Sequence, residues 1–242
     1  MMIAHLSDSQ LLAGALAGEP ATALNRAFGR LLALEPPPDC VVITGDLVET
    51  AGPGEYAVLR DILDRCPFPV HVVGGNHDGE RLVDEHGGTR YLAGGTCLAY
   101  AVDYPEATVI VADSPIPGRP EGRLGAGQLR WIDETLGRRP DVPAIICLHH
   151  PPVTVGIPFP DGMGLLDAAE LGEVIARRGN VARVLAGHVH PDVAVPFAGT
   201  LVSIASATYR QSAPGPTSFL LHVLTGDGCA THAVPAGDVF AY

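Results

Sequence analysis

The stretch Val72-Val73-Gly74-Gly75-Asn76-His77-Asp78-Gly79 decides how the rest of the chain is read. An apolar run, Val70, Val72 and Val73, stops at two glycines and is followed at once by an amide, an imidazole and a carboxylate. A buried strand ending in a tight turn would lift those three side chains over its carboxyl edge. Open α/β sheets place their chemistry at that edge. The pattern recurs four more times. Ile3-Ala4-His5-Leu6 leads into Ser7-Asp8-Ser9-Gln10, and Val41-Val42-Ile43 into Thr44-Gly45-Asp46. Ala144 to Leu148 leads into His149-His150-Pro151-Pro152, and Val184-Leu185-Ala186 into Gly187-His188-Val189-His190. Five strand ends bearing Asp, Asn or His predict a metal site assembled from strand ends.

Working outward, Pro20 is placed to open a helix at its first position, with Leu24, Ala27, Phe28, Leu31 and Leu32 at helical spacing. Pro36-Pro37-Pro38 ends it. A second helix is predicted over Glu55 to Asp64, closed by Pro67. The order β-α-β-α-β implies parallel strands joined by crossover helices. From Tyr91 the pattern changes. Short strands are predicted over Cys97–Asp103 and Ala107–Ala112, followed by a Pro/Gly loop from Ser114 to Gly127. Helices through Leu129, Ile132 and Leu136, and through Leu171, Val174 and Ile175, precede the two histidine-bearing strand ends. Thr200–Ala205, Ser218–Leu224 and Ala230–Val234 read as antiparallel strands. With no repeat and no linker, 1–242 reads as one α/β domain of two sheets. Residues 200–242 supply its C-terminal antiparallel strands.

Composition narrows the function. The 242 residues suffice for a sizeable core. A formal charge of −12 argues against a nucleic-acid polymer as partner, which needs a basic face. An anionic substrate stays open, because bound divalent cations dominate a local field. The five cysteines are scattered and never spaced C-x-x-C, which suits a reducing compartment. No apolar run approaches the roughly 20 residues of a membrane helix, and no charged leader precedes the first strand. A cytoplasmic location with no membrane partner is expected, and homo-oligomerisation is left open.

Mixed His, Asp and Asn donors suit Mn, Fe, Co or Zn better than Ca or Mg. Any one cluster has a bland reading: a lone Gly-Asp after a strand is usually a turn. Their joint order resembles the calcineurin-like metallophosphoesterase superfamily. It is closest in pattern to bacterial class III cyclic-nucleotide phosphodiesterases and the related glycerophosphodiesterases. The resemblance runs from Ile3 to at least the Thr200 strand, and includes Asp113-Ser114, Trp131 and Arg183-Val184-Leu185. The protein Ser/Thr phosphatase branch is disfavoured, because Gly45-Asp46-Leu47-Val48-Glu49-Thr50-Ala51 and Gly75-Asn76-His77-Asp78 depart from its motifs.

The resemblance implies a two-sheet sandwich flanked by helices and a centre of two divalent metals. Asp46 would bridge them. Asp8 and His190 would hold the first metal, and Asn76, His149 and His188 the second. Such a pair can hold a hydroxide and clamp a phosphate for in-line displacement. His77 would act without binding metal, on the charge of the transition state or the leaving oxygen, and Asp78 would orient it. The family's first motif is Asp-x-His, whereas this chain reads Asp8-Ser9-Gln10. Strand alternation would put Gln10 on the side of Asp8, with an amide oxygen as the weaker ligand.

Other histidines read as structural. His5 would be a hydrogen-bonded core residue, His150 a support behind the ligands, and His71, His86, His222 and His232 structural or solvated. Trp131 reads as packing, and loop 156–164 as a substrate wall or simply a loop. The expected activity is metal-dependent hydrolysis of a small phosphodiester, a cyclic nucleotide or a glycerophosphodiester. The alternatives are a phosphomonoesterase, a nuclease lacking its basic groove, and a non-catalytic metal-binding scaffold.

Overall fold

Strand β6, Ala144–Cys147, shows why the apolar runs contain no polar position. Its odd residues, Ile145 and Cys147, pack into the core between the two sheets. Its even residues, Ala144 and Ile146, pack outward under helices. A strand covered on both faces loses the alternation that marks a half-exposed one. The computed structural model describes residues 1–79, 82, 97–157, 161–209 and 217–236. His86, residues 158–160 of the 156–164 loop and residues 237–242 lie outside them.

The first sheet is built on β1 (Met2–Leu6), β2 (Cys40–Ile43) and β3 (Val70–Val72), which run parallel. Helices α1 (Gly18–Leu32) and α2 (Pro53–Leu63) make the crossovers. They bury Leu24, Phe28, Leu31, Tyr56 and Leu59 in the same cluster as the strands. Helix α2 begins with Pro53, and Glu55 accepts the Gly52 and Thr50 amides at 3.1 and 3.0 Å, satisfying N–H groups that would otherwise be orphaned. The second sheet contains β4 (Tyr100–Asp103), β5 (Thr108–Val111), β6, β7 (Val181–Ala186), β8 (Val193–Phe197) and β9 (Thr200–Ile204). Its order is β4-β5-β6-β7-β9-β8. Helices α3 (Gly125–Arg138) and α4 (Ala168–Arg178) cover its outer face through Ile132, Leu136, Leu171 and Ile175. Two sheets between helices is the expected architecture.

Several details differ from the reading of the sequence. Helix α1 starts at Gly18, so Pro20 sits inside its first turn, not at the first position. The strand predicted from Cys97 begins at Tyr100. Strand β9 is antiparallel to β8 but parallel to β7. The strand β8 was not anticipated: Pro196 interrupts its pattern, and the sheet edge is where a strand tolerates a proline. Strands β10 (Ser218–Thr225) and β11 (Gly228–Pro235) are antiparallel as expected, and they return to the first sheet beside β1. No helix among the described residues is long and apolar enough to cross a membrane.

Phe219 on β10 is fully buried in the core between the sheets. Phe219→Ala is expected to lower unfolding free energy by about 3–5 kcal/mol in one cooperative transition. Leu32→Ala, on a side chain 58% exposed, should change it by about 0.5 kcal/mol or less. Two separable denaturant transitions would show the C-terminal strands to be an appendage, not part of the domain.

Candidate metal centre

The candidate ligands sit two to four residues past their strands, several of them in turns that ordinary residues rarely adopt. Asp8, Gln10, Asp46, His188 and His190 all have positive φ, at 51°, 43°, 49°, 72° and 75°. Left-handed backbone at a non-glycine residue costs on the order of 1–3 kcal/mol and persists only where surroundings enforce it. The expectation that strand alternation aligns residues 8 and 10 is thereby corrected. Strand β1 ends at Leu6, and it is the turn that aims both side chains.

Glycine makes the loops meet. A Cβ on Gly75 would lie 2.2 Å from the Asp46 amide nitrogen. One on Gly187 would lie 1.9 Å from Ser7 Oγ and 2.8 Å from Asp8 Oδ2. Hydrogen bonds between backbones lock the turns together: Asp8 N donates to Gly45 O at 3.0 Å, and Gln10 N to Asp46 O at 2.9 Å.

His149 is at the centre. It is fully buried, and its Nδ1–H donates to the Thr44 carbonyl at 2.7 Å, which leaves Nε2 facing the other candidates. Around Nε2 lie Asn76 Oδ1 at 3.1 Å, His188 Nδ1 at 3.2 Å and Asp46 Oδ1 at 3.5 Å. Asp46 Oδ1 also accepts the His77 amide at 2.9 Å. Its other oxygen faces His77 Nε2 at 3.9 Å. On the far side, Asp8 Oδ2 accepts Ser7 Oγ–H at 2.5 Å and the His188 amide at 3.1 Å, while Oδ1 faces His190 Nε2 at 3.7 Å.

His77 is oriented differently from expectation. Its Nδ1 contacts the Glu49 carbonyl at 2.9 Å. The Asp78 carboxylate instead accepts the amides of Leu47, Val48 and Gly75 at 2.9, 3.1 and 2.8 Å. Tyr56 donates to the Asp78 carbonyl. Asp78 therefore pins the Asp46 and Asn76 loops to each other, and the carbonyl of Glu49 holds the ring.

Burial and close approach shift the charges of these groups against one another. Burial alone would lower His149, but Asp46 beside it prevails and pushes the imidazole up to about 9. Burial and then the neighbouring His149 push His188 down to about 3. Burial would raise Asp46, but His149 holds it well below the usual carboxylate range. Burial raises Asp8, and burial with Asp46 nearby pushes Asp78 up to about 8. For His77, burial opposes the charge while Asp46 and the Glu49 carbonyl favour it, and the net shift is upward.

Metal ions fit this donor set. Asp8 Oδ1, Gln10 Oε1 and His188 Nε2 are buried with no hydrogen-bond partner among the described residues, a costly arrangement unless something else ligates them. Ligand atoms of Asp8, Asp46 and His149 lie within 4.8 Å of one another, as do those of His149, His150 and His188. His150 sits behind the ligands: its Nδ1 pairs with Ser114 Oγ at 2.9 Å, and its ring lies edge-on to His149 at 4.9 Å between centroids. Ser7 and Thr44 carry no motif in the sequence, although hydroxyls beside acidic ligands are natural donors to them. The Glu49 carbonyl leaves no side-chain signal at all. Trp131 is half-buried against the outer cluster, as read. His5 and His71 are buried and hydrogen-bonded, to Thr44 Oγ1 at 2.9 Å and Tyr104 OH at 2.7 Å.

The sequence and the fold both have known relatives. The family profile described as calcineurin-like phosphoesterase matches residues 1–192. A probable cyclic nucleotide phosphodiesterase of Synechococcus sp. is 36% identical over 195 residues, covering 78% of this chain and 73% of that one. A cAMP/cGMP dual specificity phosphodiesterase of Mycobacterium tuberculosis is 32% identical over 228 residues, covering 87% and 68%. Among solved structures, a dimetal phosphatase from Danio rerio superposes with a TM-score of 0.74 at 16% identity, covering 98% and 99%.

A metal ligand must shed its proton. Because metal-free His149 holds one up to about pH 9, binding at that site should release it. His188, already neutral, adds none. Mn²⁺ affinity measured by calorimetry should therefore rise by up to about tenfold per pH unit from pH 6.5 to 8.5. Affinity unchanged over that range would show that metal-free His149 carries no proton to release.

Proposed function

Because this chain belongs to the calcineurin-like phosphoesterase family, we propose that it hydrolyses a small phosphodiester, with a cyclic nucleotide as the preferred class, at a centre of two divalent metals. The observation that carries this reading is Asp46, which has a ligand atom within 4.8 Å of ligand atoms from both Asp8 and His149, one from each proposed metal set. Asp46, Asn76, His149 and His188 would hold one metal, and Asp46, Asp8, His190 and Gln10 the other. Bound metals supply Lewis acidity to the phosphate and lower the pKa of water.

The chain's own groups do the rest. The Thr44 carbonyl fixes the His149 tautomer, as partners behind a ligand commonly do. His77 has 38% of its side chain exposed, so it reaches the side from which substrate arrives. With Nδ1–H donated to Glu49 O, its Nε2 is the atom left to meet the phosphate, and its raised pKa favours a proton there. From that atom it passes the proton to the departing alkoxide oxygen. The net charge of −12 disfavours a nucleic-acid polymer as the diester. Five free cysteines suit a cytoplasmic setting. A scaffold without catalysis would have no use for a half-exposed His77 outside the ligand set.

Gln10 divides the two metals. Its buried oxygen is a neutral acceptor with no ring nitrogen, and Mn, Fe, Co and Zn sites with imidazole are tighter than those with an amide carbonyl. The Asn76 side should bind tightly and the Asp8 side weakly.

Hydrolysis of bis(p-nitrophenyl) phosphate, a cyclic nucleotide, glycerophosphocholine and p-nitrophenyl phosphate tests the activity. Diester turnover should vanish with chelator and return with Mn²⁺, Co²⁺ or Fe²⁺. Turnover of the monoester alone would make the protein a phosphomonoesterase, and none under any metal would end the enzymatic reading. His77→Ala should lose about 10²–10⁴-fold in kcat with metal content near the parent's. Loss of metal along with rate would make His77 a ligand. In a metal titration, Gln10→His should strengthen the weaker site and raise activity at limiting metal. Two equally tight sites in the parent, unchanged by Gln10→His, would show that Gln10 is not the weak point.

A further inference from the structure

The two histidines read as structural, His5 and His222, do not stand alone. Together with three hydroxyls they form an unbroken hydrogen-bonded seam. It crosses four strands of the first sheet and ends on the Asp8 carboxylate. Thr231 on β11 is the cross-strand partner of His222 on β10, and its Oγ1 lies 2.9 Å from His222 Nδ1. His222 Nε2 lies 3.2 Å from His5 Nδ1 on β1. His5 Nε2 lies 2.9 Å from Thr44 Oγ1, past the end of β2. Thr44 Oγ1 is 2.8 Å from Ser7 Oγ, which is 2.5 Å from Asp8 Oδ2. His5, Ser7, Thr44 and His222 are all fully buried, whereas Thr231 is exposed.

With Asp8 ionised, as a metal ligand must be, one consistent set of directions runs along the seam, although Ser7 Oγ also lies 3.2 Å from the Thr44 carbonyl and Thr44 Oγ1 3.4 Å from the Leu6 carbonyl. An ionised carboxylate only accepts, so Ser7 donates to Asp8. With its proton used, Ser7 accepts from Thr44, and Thr44 in turn accepts from His5 Nε2–H. A neutral imidazole carries one proton, so His5 Nδ1 is bare and accepts from His222 Nε2–H. His222 Nδ1 is then bare as well and accepts from Thr231. Burial keeps both rings neutral: His5 is pushed down to about 3 and His222 well below its ordinary value. The Ala186 carbonyl also faces His5 and favours an N–H on that ring. Every donor points toward Asp8.

We propose that this seam is a positioning device: through it His222 and His5, on strands outside the metal centre, hold Asp8 Oδ2 in hydrogen bonds so that Oδ1 is presented to the first metal. Asp8 Oδ1 is the carboxylate oxygen that has no hydrogen-bond partner among the described residues, and it faces His190. The inference rests on the reading of Asp8 as a ligand of that metal. It matters most at this site, because Gln10 leaves the first metal with fewer strong donors and thus more dependent on Asp8. His222 and Thr231 both lie beyond residue 192, where the family match ends. The C-terminal hairpin thus joins the metal centre through hydrogen bonds and not only through packing.

Two experiments test it, neither using substrate, so their failure is distinct from failure of the phosphodiesterase reading. In metal-free protein, long-range ¹H–¹⁵N correlation of the histidine rings should show His5 and His222 both neutral at pH 7, and both as the Nε2–H tautomer. A Nδ1–H tautomer or a charged ring at either position overturns the seam. In a Mn²⁺ titration, His222→Leu should weaken the first site about tenfold, the lower end of the roughly 10–100-fold loss seen when groups behind a ligand are removed. The second site should be unchanged. His222→Gln, whose amide can both accept from Thr231 and donate to His5, should stay within about twofold of the parent. Parent-like binding by His222→Leu, or an equal loss at both sites, overturns the proposal. If His222→Leu does not fold, Thr231→Val replaces it. That isosteric change on an exposed strand should leave His222 as the Nε2–H tautomer, because His5 Nδ1 still accepts from it, and a switch to Nδ1–H overturns the seam.

Discussion

A carboxylate buried at the end of strand β2 is the constraint around which this protein is organised. Asp46 is 2% exposed, and an ionised carboxyl at that depth is costly unless it is met by charge and hydrogen bonds. The surroundings meet it from two loops. His77 gives a backbone amide, His149 a ring held at a set angle by the Thr44 carbonyl, and the Asn76 turn closes over it. That closure is only sterically open because residue 75 is glycine. Asp78, fully occupied by amides from both sides, ties the same loops together. The left-handed turns at Asp8, Asp46, His188 and His190 are the local cost of bringing several acidic and imidazole groups to one point. The two-layered core is rigid enough to impose it.

The two halves of the centre are built differently. On the Asn76 side, His149 Nε2 and His188 Nδ1 face each other at 3.2 Å, and His149 is held from behind by a main-chain carbonyl. On the Asp8 side Gln10 stands where the family motif has a histidine, and Asp8 is hydrogen-bonded to Ser7, which is itself bonded to Thr44. Unequal metal affinities are what this asymmetry predicts. The involvement of a hairpin remote in sequence would follow from it too.

Most of the site could be read from the chain because its signal is repeated. Five apolar runs each end in a polar cluster, and doubly covered strands write themselves as unbroken apolar runs. Conformation at the ends was less legible. Alternation was extended to Gln10 although the strand had stopped at Leu6, since nothing in Ser7-Asp8-Ser9-Gln10 announces positive φ. Asp78 was given to His77 because sequence proximity is visible, whereas the Glu49 carbonyl that holds the ring has no side-chain signature. Strand β8 was hidden by Pro196, acceptable only because the strand lies on an edge that emerges from three-dimensional order. His5 and His222 each looked bland alone. Their meaning comes from a pairing across 217 residues that only the sheet reveals.

The most direct measurement is a crystal structure of Mn²⁺-soaked protein with anomalous diffraction collected at the manganese edge. Two peaks are expected, one on each side of the Asp46 carboxylate: a strong one among Asn76, His149 and His188, and a weaker one beside Asp8 and His190. A single peak confined to His149, His150 and His188, with Asp46 uncoordinated, would contradict a bridged two-metal centre.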